Sequence, residues 1–143
     1  MYKDILFPVD ITDEDQASDK AREVVLDLNK AFGAKLHVMT VVSDYGMSIV
    51  QQYFPSGSVD KVVAETNKAL HEYVARHFPE KVEVQHIVGK GAVYESIIQT
   101  ADRINADLIV MAAHRPELKD YLLGPNAAKV VRHCGRSVLV VRD

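Results

Sequence analysis

The residues best suited to chemistry lie in two places along the chain, after the first apolar block and after the fourth. The first place holds four carboxylates, those of Asp10, Asp13, Glu14 and Asp15. Clustered carboxylates can bind Mg²⁺ in a phosphorylatable receiver site, but the aspartate and lysine that such a site needs on later strands are not present in the right order. We interpret residues 13–15 as charges that match the positive end of a helix dipole. Asp10 stays a candidate because it lies at the strand tip itself.

The second place is the loop AAHRPELKDYLLGPNA, residues 112–127. A loop between a strand and a helix often holds phosphate, because glycines let backbone N–H groups approach the anion and the helix start attracts negative charge. This loop has a single glycine, Gly124, and Pro125 follows it. If Pro125 is the first residue of the helix, its missing N–H costs nothing there, and the N–H groups of Asn126 and Ala127 still point outward.

Side chains in the same loop could replace backbone donors. Arg115 carries a charged fork of donors that suits phosphate, His114 can donate from either ring nitrogen, and Asn126 has a side-chain amide at the helix start. The alternative is that His114 and Arg115 are solvated loop residues and that Gly124 only makes a turn. The loop is therefore either a rebuilt phosphate site or the remains of one.

Several other chemistries are excluded by their missing motifs. The segment DITDEDQ stands where a dinucleotide-binding fold has G-x-G-x-x-G, and its negative charge would repel a pyrophosphate. A Walker loop is absent, and none of the six histidines forms an H-E-x-x-H pair. We expect no metal site and no catalytic triad.

Composition predicts one soluble domain over residues 1–143, with 48% hydrophobic and 26% charged residues. With a formal net charge of -3, the chain has no broad electrostatic attraction for nucleic acid or anionic lipid. The single cysteine, Cys134, excludes an intrachain disulfide and favours a reducing compartment. The opening MYKDILFPVD has too short an apolar run for a signal peptide or membrane span, so we predict a cytoplasmic protein.

Apolar blocks and helical stripes alternate along the chain. Strands are predicted at 5–9, 36–42, 82–88, 108–113 and 137–141, and helices at 13–32, 58–78, 92–104 and 126–133. This order calls for a parallel sheet with helices on both faces, whose ligands bind outside the carboxyl ends of the strands. Thr12 or Asp13 is expected to cap the first helix and Gly33 to end it, with Phe32 on the buried stripe.

One long connection, residues 43–57, interrupts this regular alternation. Irregular connections of this length are uncommon in compact domains and are often lids or contact surfaces. An extra short helix packed over the sheet edge is an equally good interpretation.

Three segments, MYKDILFPVDIT, ADLIVMAAHRP and YLLGPNAAKVVRHCGRSVLVVRD, resemble the universal stress protein family, and the HRP loop with LLG-x-NA resembles its F/G-type branch. The resemblance covers the chain from end to end. It implies a doubly wound five-stranded parallel sheet in the order 3-2-1-4-5, of the adenine-nucleotide alpha-hydrolase-like type.

Nucleotide-binding members of this family carry G-x-x-G-x(9)-G-[ST] after the fourth strand. In this chain Ala112, Arg115 and Pro125 replace three of the four motif positions, and the spacer before Gly124 has eight residues. The resemblance places Gly89 near the ribose. It implies contacts to ATP or AMP from Val9, Asp10, Val41, Met111, Ala112, His114, Arg115, Gly124, Asn126 and Ala127.

Two functions follow from these observations. The first is a nucleotide-binding stress-response sensor or regulator; the second is a dimeric interaction module with a degenerate loop. The sequence supplies no evident general base, so any ATP hydrolysis or autophosphorylation is expected to be slow. Under both, the resemblance implies a homodimer through the last strand, Ser137 to Asp143. The protein partner and any need for Mg²⁺ stay open.

Overall fold

A computed structural model describes residues 1–11, 18–43, 58–113 and 124–142 of the chain. The strands in these ranges are β1 (Asp4–Pro8), β2 (Lys35–Ser43), β3 (Val84–Gly91), β4 (Leu108–Ala112) and β5 (Ser137–Val141). The helices are α1 (Asp19–Phe32), α2 (Ser58–His77), α3 (Val93–Arg103) and α4 (Gly124–His133).

The strands form one parallel sheet in the order β3-β2-β1-β4-β5, which confirms the predicted fold. The central strands are the buried ones, since all five residues of β4 and the last four of β1 are buried. In β3 only Ile87 is fully buried, and no residue of β5 is. The two edge strands, β3 and β5, are therefore less buried than the central strands β1 and β4.

The helices cover both faces of the sheet, as right-handed crossovers require. On one face, Arg22 of α1 donates a hydrogen bond to the Tyr73 hydroxyl of α2 at 3.3 Å. On the other face, α3 and α4 lie side by side and are joined by a hydrogen bond between Tyr94 and Asn126. This arrangement brings the starts of all four helices to the carboxyl edge of the sheet.

The ends of α1 test the capping predictions. Gly33 ends the helix in the left-handed conformation, with φ at 64° and its N–H bonded to the carbonyl of Asn29, as predicted. Thr12 and Asp13 lie outside the described residues, and Ser18 precedes the helix. Phe32 was wrongly expected on the buried stripe: it is 43% exposed and lies in the last turn of α1, where its ring contacts the Tyr2 ring edge to face.

The other bounds differ from prediction by a residue or two. Helix α2 starts at Ser58 as predicted but ends one residue earlier, at His77, and β3 begins at Val84 instead of Val82. Of the long connection at 43–57, only Ser43 is described, as the last residue of β2. The predictions for residues 44–57 fall outside the described ranges.

A pair of histidine rings joins α2 to the edge strand β3. The rings of His71 and His86 are stacked, with centroids 3.7 Å apart and planes 10° apart. Burial, and then the charge of His71, lower the pKa of His86. The packing of α2 on the outer strand therefore favours the neutral imidazole.

Candidate functional site

The carboxyl edge of the sheet has its switch point between β1 and β4. The chain leaves β1 toward β2 and leaves β4 toward β5, in opposite directions, and ligands of such folds bind at this crevice. Val9 and Asp10 follow β1 directly and are 3% and 8% exposed. The Val9 N–H donates to the carbonyl of Met39 at 2.8 Å, so the backbone stays in the sheet up to this tip.

The end of β4 forms the other side of the switch point. Met111 and Ala112 are buried, and the N–H of Ala113 donates to the carbonyl of Val141 at 2.9 Å. The Met111 side chain therefore belongs to the core, and a ligand at this edge would meet the backbone of β4 first. The predicted contacts His114 and Arg115 lie outside the described residues.

Helix α4 begins at Gly124, two residues earlier than predicted. Pro125 is thus the second residue of the helix, within the first turn, where a proline removes no intrahelical hydrogen bond. The Ala127 side chain is buried against the core, which fixes the rotation of this turn. The first turn of α4 consequently keeps the dipole and backbone donors that a helix start presents to an anion.

Asn126 connects this first turn to α3. Its side-chain oxygen accepts the N–H of Tyr94 at 3.1 Å. The residue before α3 is Ala92, whose side chain cannot cap the helix, so the cap comes from another helix. No sequence pattern predicts this contact, because the two residues are 32 positions apart.

The Tyr94 side chain lies over the surface of α4. Lys129 Nζ is 5.3 Å from the centre of its ring, and the His133 ring is 5.9 Å away. The hydroxyl donates to Glu95 Oε1 at 3.1 Å, a bond that raises the pKa of Tyr94. Backbone and side chain of Tyr94 thus both hold α3 against α4.

Val41 and Gly89 are register partners on β2 and β3. A Cβ on Gly89 would overlap the Oγ of Ser96, which is buried in the first turns of α3. Glycine at this position therefore lets α3 approach the sheet closely, a structural reason for a residue that the resemblance places near the ribose. Gly89 and Ser96 set the depth at which α3 lies.

Ser18 is a feature that the sequence reasoning missed. It precedes α1 on the carboxyl side of the sheet and is 8% exposed, and its buried hydroxyl has no hydrogen-bond partner among the described residues. Because buried hydroxyls nearly always have a partner, Ser18 is a residue to test for contact with a ligand. The available signal was a serine directly before an apolar helical stripe. The helix was instead predicted to start at residue 13, because residues 13–15 are acidic and suit the first turn of a helix.

The helix starts at this edge favour an anion. Within the described ranges, no three histidine, cysteine, aspartate or glutamate side chains come together as metal ligands. The same ranges hold no helix long and apolar enough to cross a membrane. The helix starts, the carboxylate of Asp10 and the hydroxyl of Ser18 all lie at one edge.

Comparison with known proteins agrees with the fold and the resemblance. The sequence profile of the universal stress protein family matches residues 1–142. The chain is 29% identical to universal stress protein G of Escherichia coli O157:H7, over 99% of this chain and all of that protein. It is 25% identical to universal stress protein MJ0577 of Methanocaldococcus jannaschii, over 99% and 96% of the two chains.

Solved structures show the same fold. The structure of MJ0577 superposes with a TM-score of 0.78 at 23% identity and covers 100% of this chain and 97% of that one. A universal stress protein in complex with cAMP superposes with a TM-score of 0.58 at 22% identity, over 99% and 97% of the two chains. The likeness extends over the whole sheet and its helices.

Proposed function

The chain belongs to the universal stress protein family, and we propose that it binds an adenine nucleotide, ATP or AMP, at the carboxyl edge of its sheet. In this proposal nucleotide occupancy reports on the state of the cell and alters a homodimer or its contact with a protein partner. The proposal therefore describes a sensor or regulator in a stress response.

The observation that carries the proposal is the start of α4 at Gly124. The change from the family's serine or threonine to Pro125 removes a hydroxyl and an N–H, but it falls in a first turn that tolerates proline. The remaining backbone donors and the dipole of α4 still favour an anion at this place. The altered motif has thus lost donors without losing the helix start.

The residues of the proposed site fall into two groups. For the phosphates we propose His114, Arg115, Gly124, Asn126 and Ala127. For the nucleoside we propose the other five predicted residues, namely Val9, Asp10, Val41, Met111 and Ala112. Since the side chains of Met111 and Ala112 are buried in the core, these two would contribute through their backbone.

A relative supports the choice of ligand class, since a universal stress protein of the same fold has been solved in complex with cAMP. The proposal includes no catalytic residue. Any ATP hydrolysis or autophosphorylation is expected to be slow, and Mg²⁺ would reach the site only with the nucleotide.

The homodimer in this proposal forms through β5 and the residues after it, Ser137 to Asp143. Two large apolar side chains near this edge, Leu139 and Val131, are 38% and 51% exposed. An apolar edge strand tends to pair with another chain unless it is covered. We further propose a cytoplasmic location, since the chain has one cysteine and it is not in a disulfide.

Calorimetric titration with ATP, ADP and AMP tests the proposal, with Arg115→Ala and Gly124→Val as the informative variants. Loss of a charged hydrogen bond of roughly 1.5 to 3 kcal/mol should weaken ATP binding about 10- to 150-fold in Arg115→Ala. Arg103→Ala removes an equal charge from an exposed site in the last turn of α3, at the opposite edge of the sheet, and serves as the control.

The same titration decides between the two functions. Binding that weakens in both loop variants, with Arg103→Ala unchanged, supports the nucleotide sensor. No heat at millimolar nucleotide with the unmodified protein contradicts it and favours the interaction module.

A further inference from the structure

The start of α3 lacks a local cap. Helices usually satisfy their first N–H groups with a Ser, Thr, Asp or Asn side chain at the position just before the helix. Here that position is Ala92, in an extended conformation with φ at -67° and ψ at 132°. The acceptor for the Tyr94 N–H instead comes from Asn126, in the first turn of α4.

The same turn of α3 is held from two sides. The Tyr94 ring lies against Lys129 and His133 of α4. On the sheet side, Ser96 packs on the bare backbone of Gly89, so closely that a Cβ there would overlap it. The start of α3 therefore has little freedom to shift relative to the start of α4.

We infer that Asn126 is a positioning residue that locks the start of α3 to the start of α4. Its side-chain oxygen accepts the Tyr94 N–H, so we assign the side chain to positioning and the backbone N–H of Asn126 to the proposed phosphate contact. Through this bond the positive ends of two helix dipoles stay fixed at one edge, where their attraction for an anion adds. The effect on nucleotide affinity rests on the proposed function; the lock between the helices does not.

Hydrogen exchange of the Tyr94 amide tests the lock without any nucleotide. Asn126→Ala removes the acceptor and should speed exchange of this amide about fivefold or more, the equivalent of one ordinary hydrogen bond. Asn126→Asp keeps an acceptor oxygen at the same reach and should restore the protection. Unchanged exchange of the Tyr94 amide in Asn126→Ala would overturn the inference.

A double-mutant cycle on ATP affinity tests the positioning role. Tyr94→Pro removes the N–H at a position in the first turn where proline is tolerated, while Tyr94→Ala removes the ring but keeps the N–H. Adding Asn126→Ala should weaken ATP binding several-fold in the Tyr94→Ala protein and have little further effect in Tyr94→Pro, because the shared bond is already gone.

The outcomes separate the inference from the proposed function. Equal weakening in both backgrounds means that the Asn126 side chain contacts the nucleotide directly, and the positioning role is wrong. If the unmodified protein binds no ATP while Tyr94 exchange responds to Asn126→Ala, the lock stands and the proposed function falls. If Tyr94→Pro does not fold, the exchange experiment alone decides.

Discussion

The two edges of the sheet differ in how their polar groups are satisfied. At the amino edge, the carboxylate of Asp107 accepts the N–H groups of Lys3 and Asp4, both at 2.8 Å. At the carboxyl edge, the buried hydroxyl of Ser18 has no partner among the described residues, and the N–H of Tyr94 at the start of α3 is capped by Asn126 of another helix. The difference teaches that, within the described ranges, the amino edge is held by a side chain next to β4, whereas the carboxyl edge depends on a contact between two helices.

A second contact at the amino edge strengthens the contrast. Arg136, after α4, donates to Asp102 at 3.0 Å, to Asn105 at 3.2 Å and to the carbonyl of Ala106 at 2.7 Å. It therefore ties the turn before β5 to the turn before β4. Substitutions at the amino edge should change stability alone, whereas effects on nucleotide binding should be confined to substitutions at the carboxyl edge.

The largest expected effect is at Gly89, where Gly89→Ala inserts a Cβ into the Oγ of Ser96. Overpacking of this kind costs about 1–3 kcal/mol, measured as a fall in the free energy of unfolding by urea denaturation. Ser96→Ala in the same chain removes the clashing atom and should restore most of the loss. If the double variant regains its stability but binds ATP poorly, Gly89 belongs to the binding site as well. If Ser96→Ala does not restore the free energy of unfolding, the packing account is wrong.

Asp107→Ala should come next, lowering the melting temperature because it leaves two backbone N–H groups without their acceptor. Their hydrogen bonds also lower the pKa of Asp107. The contribution of this carboxylate to stability is therefore present at neutral pH and is lost as the pH falls below about 4. The difference in melting temperature between Asp107→Ala and the unmodified protein should therefore shrink in acid. ATP affinity should not change, and a clear loss of affinity would break the distinction between the edges.

The histidine pair on α2 and β3 predicts a smaller effect in mild acid. Because burial and the charge of His71 lower the pKa of His86, the unfolded chain takes up protons more readily, and stability should fall as the pH drops below about 6.5. His86→Gln should flatten the pH dependence of the melting temperature between neutral pH and mild acid. His133→Gln, at an exposed site on α4, is the control; an equal flattening there would contradict the assignment.

The smallest effect is expected from Ser18→Ala. Removing a buried hydroxyl that has no partner among the described residues should leave stability unchanged or slightly higher. The same change should weaken ATP binding a few-fold if the hydroxyl contacts the ligand. Destabilisation measured by urea unfolding would mean that Ser18 has a structural role, and the contrast between the edges would weaken.

The fold was predictable because its signals are local. Apolar blocks fixed the central strands, and Gly33 marked the end of α1, since both depend on residues adjacent in the chain. The exposure of Phe32 was not predictable, because it depends on where the sheet edge lies relative to the last turn of α1.

The site was predictable only in outline. The switch point followed from the order of the elements, and the place of Pro125 in a first turn followed from the Gly-Pro pair. The cap that Asn126 gives Tyr94 and the fit of Ser96 on Gly89 join residues of different elements, and no local pattern encodes such contacts.

Native mass spectrometry of the purified protein, incubated with ATP and then desalted by gentle buffer exchange, tests the central claim most directly. The account predicts a species of twice the 15.9 kDa chain mass that carries one adenine nucleotide per chain. The Arg115→Ala protein should give the same dimer with little or no nucleotide. A nucleotide-free species from the unmodified protein after incubation with millimolar ATP would contradict the account.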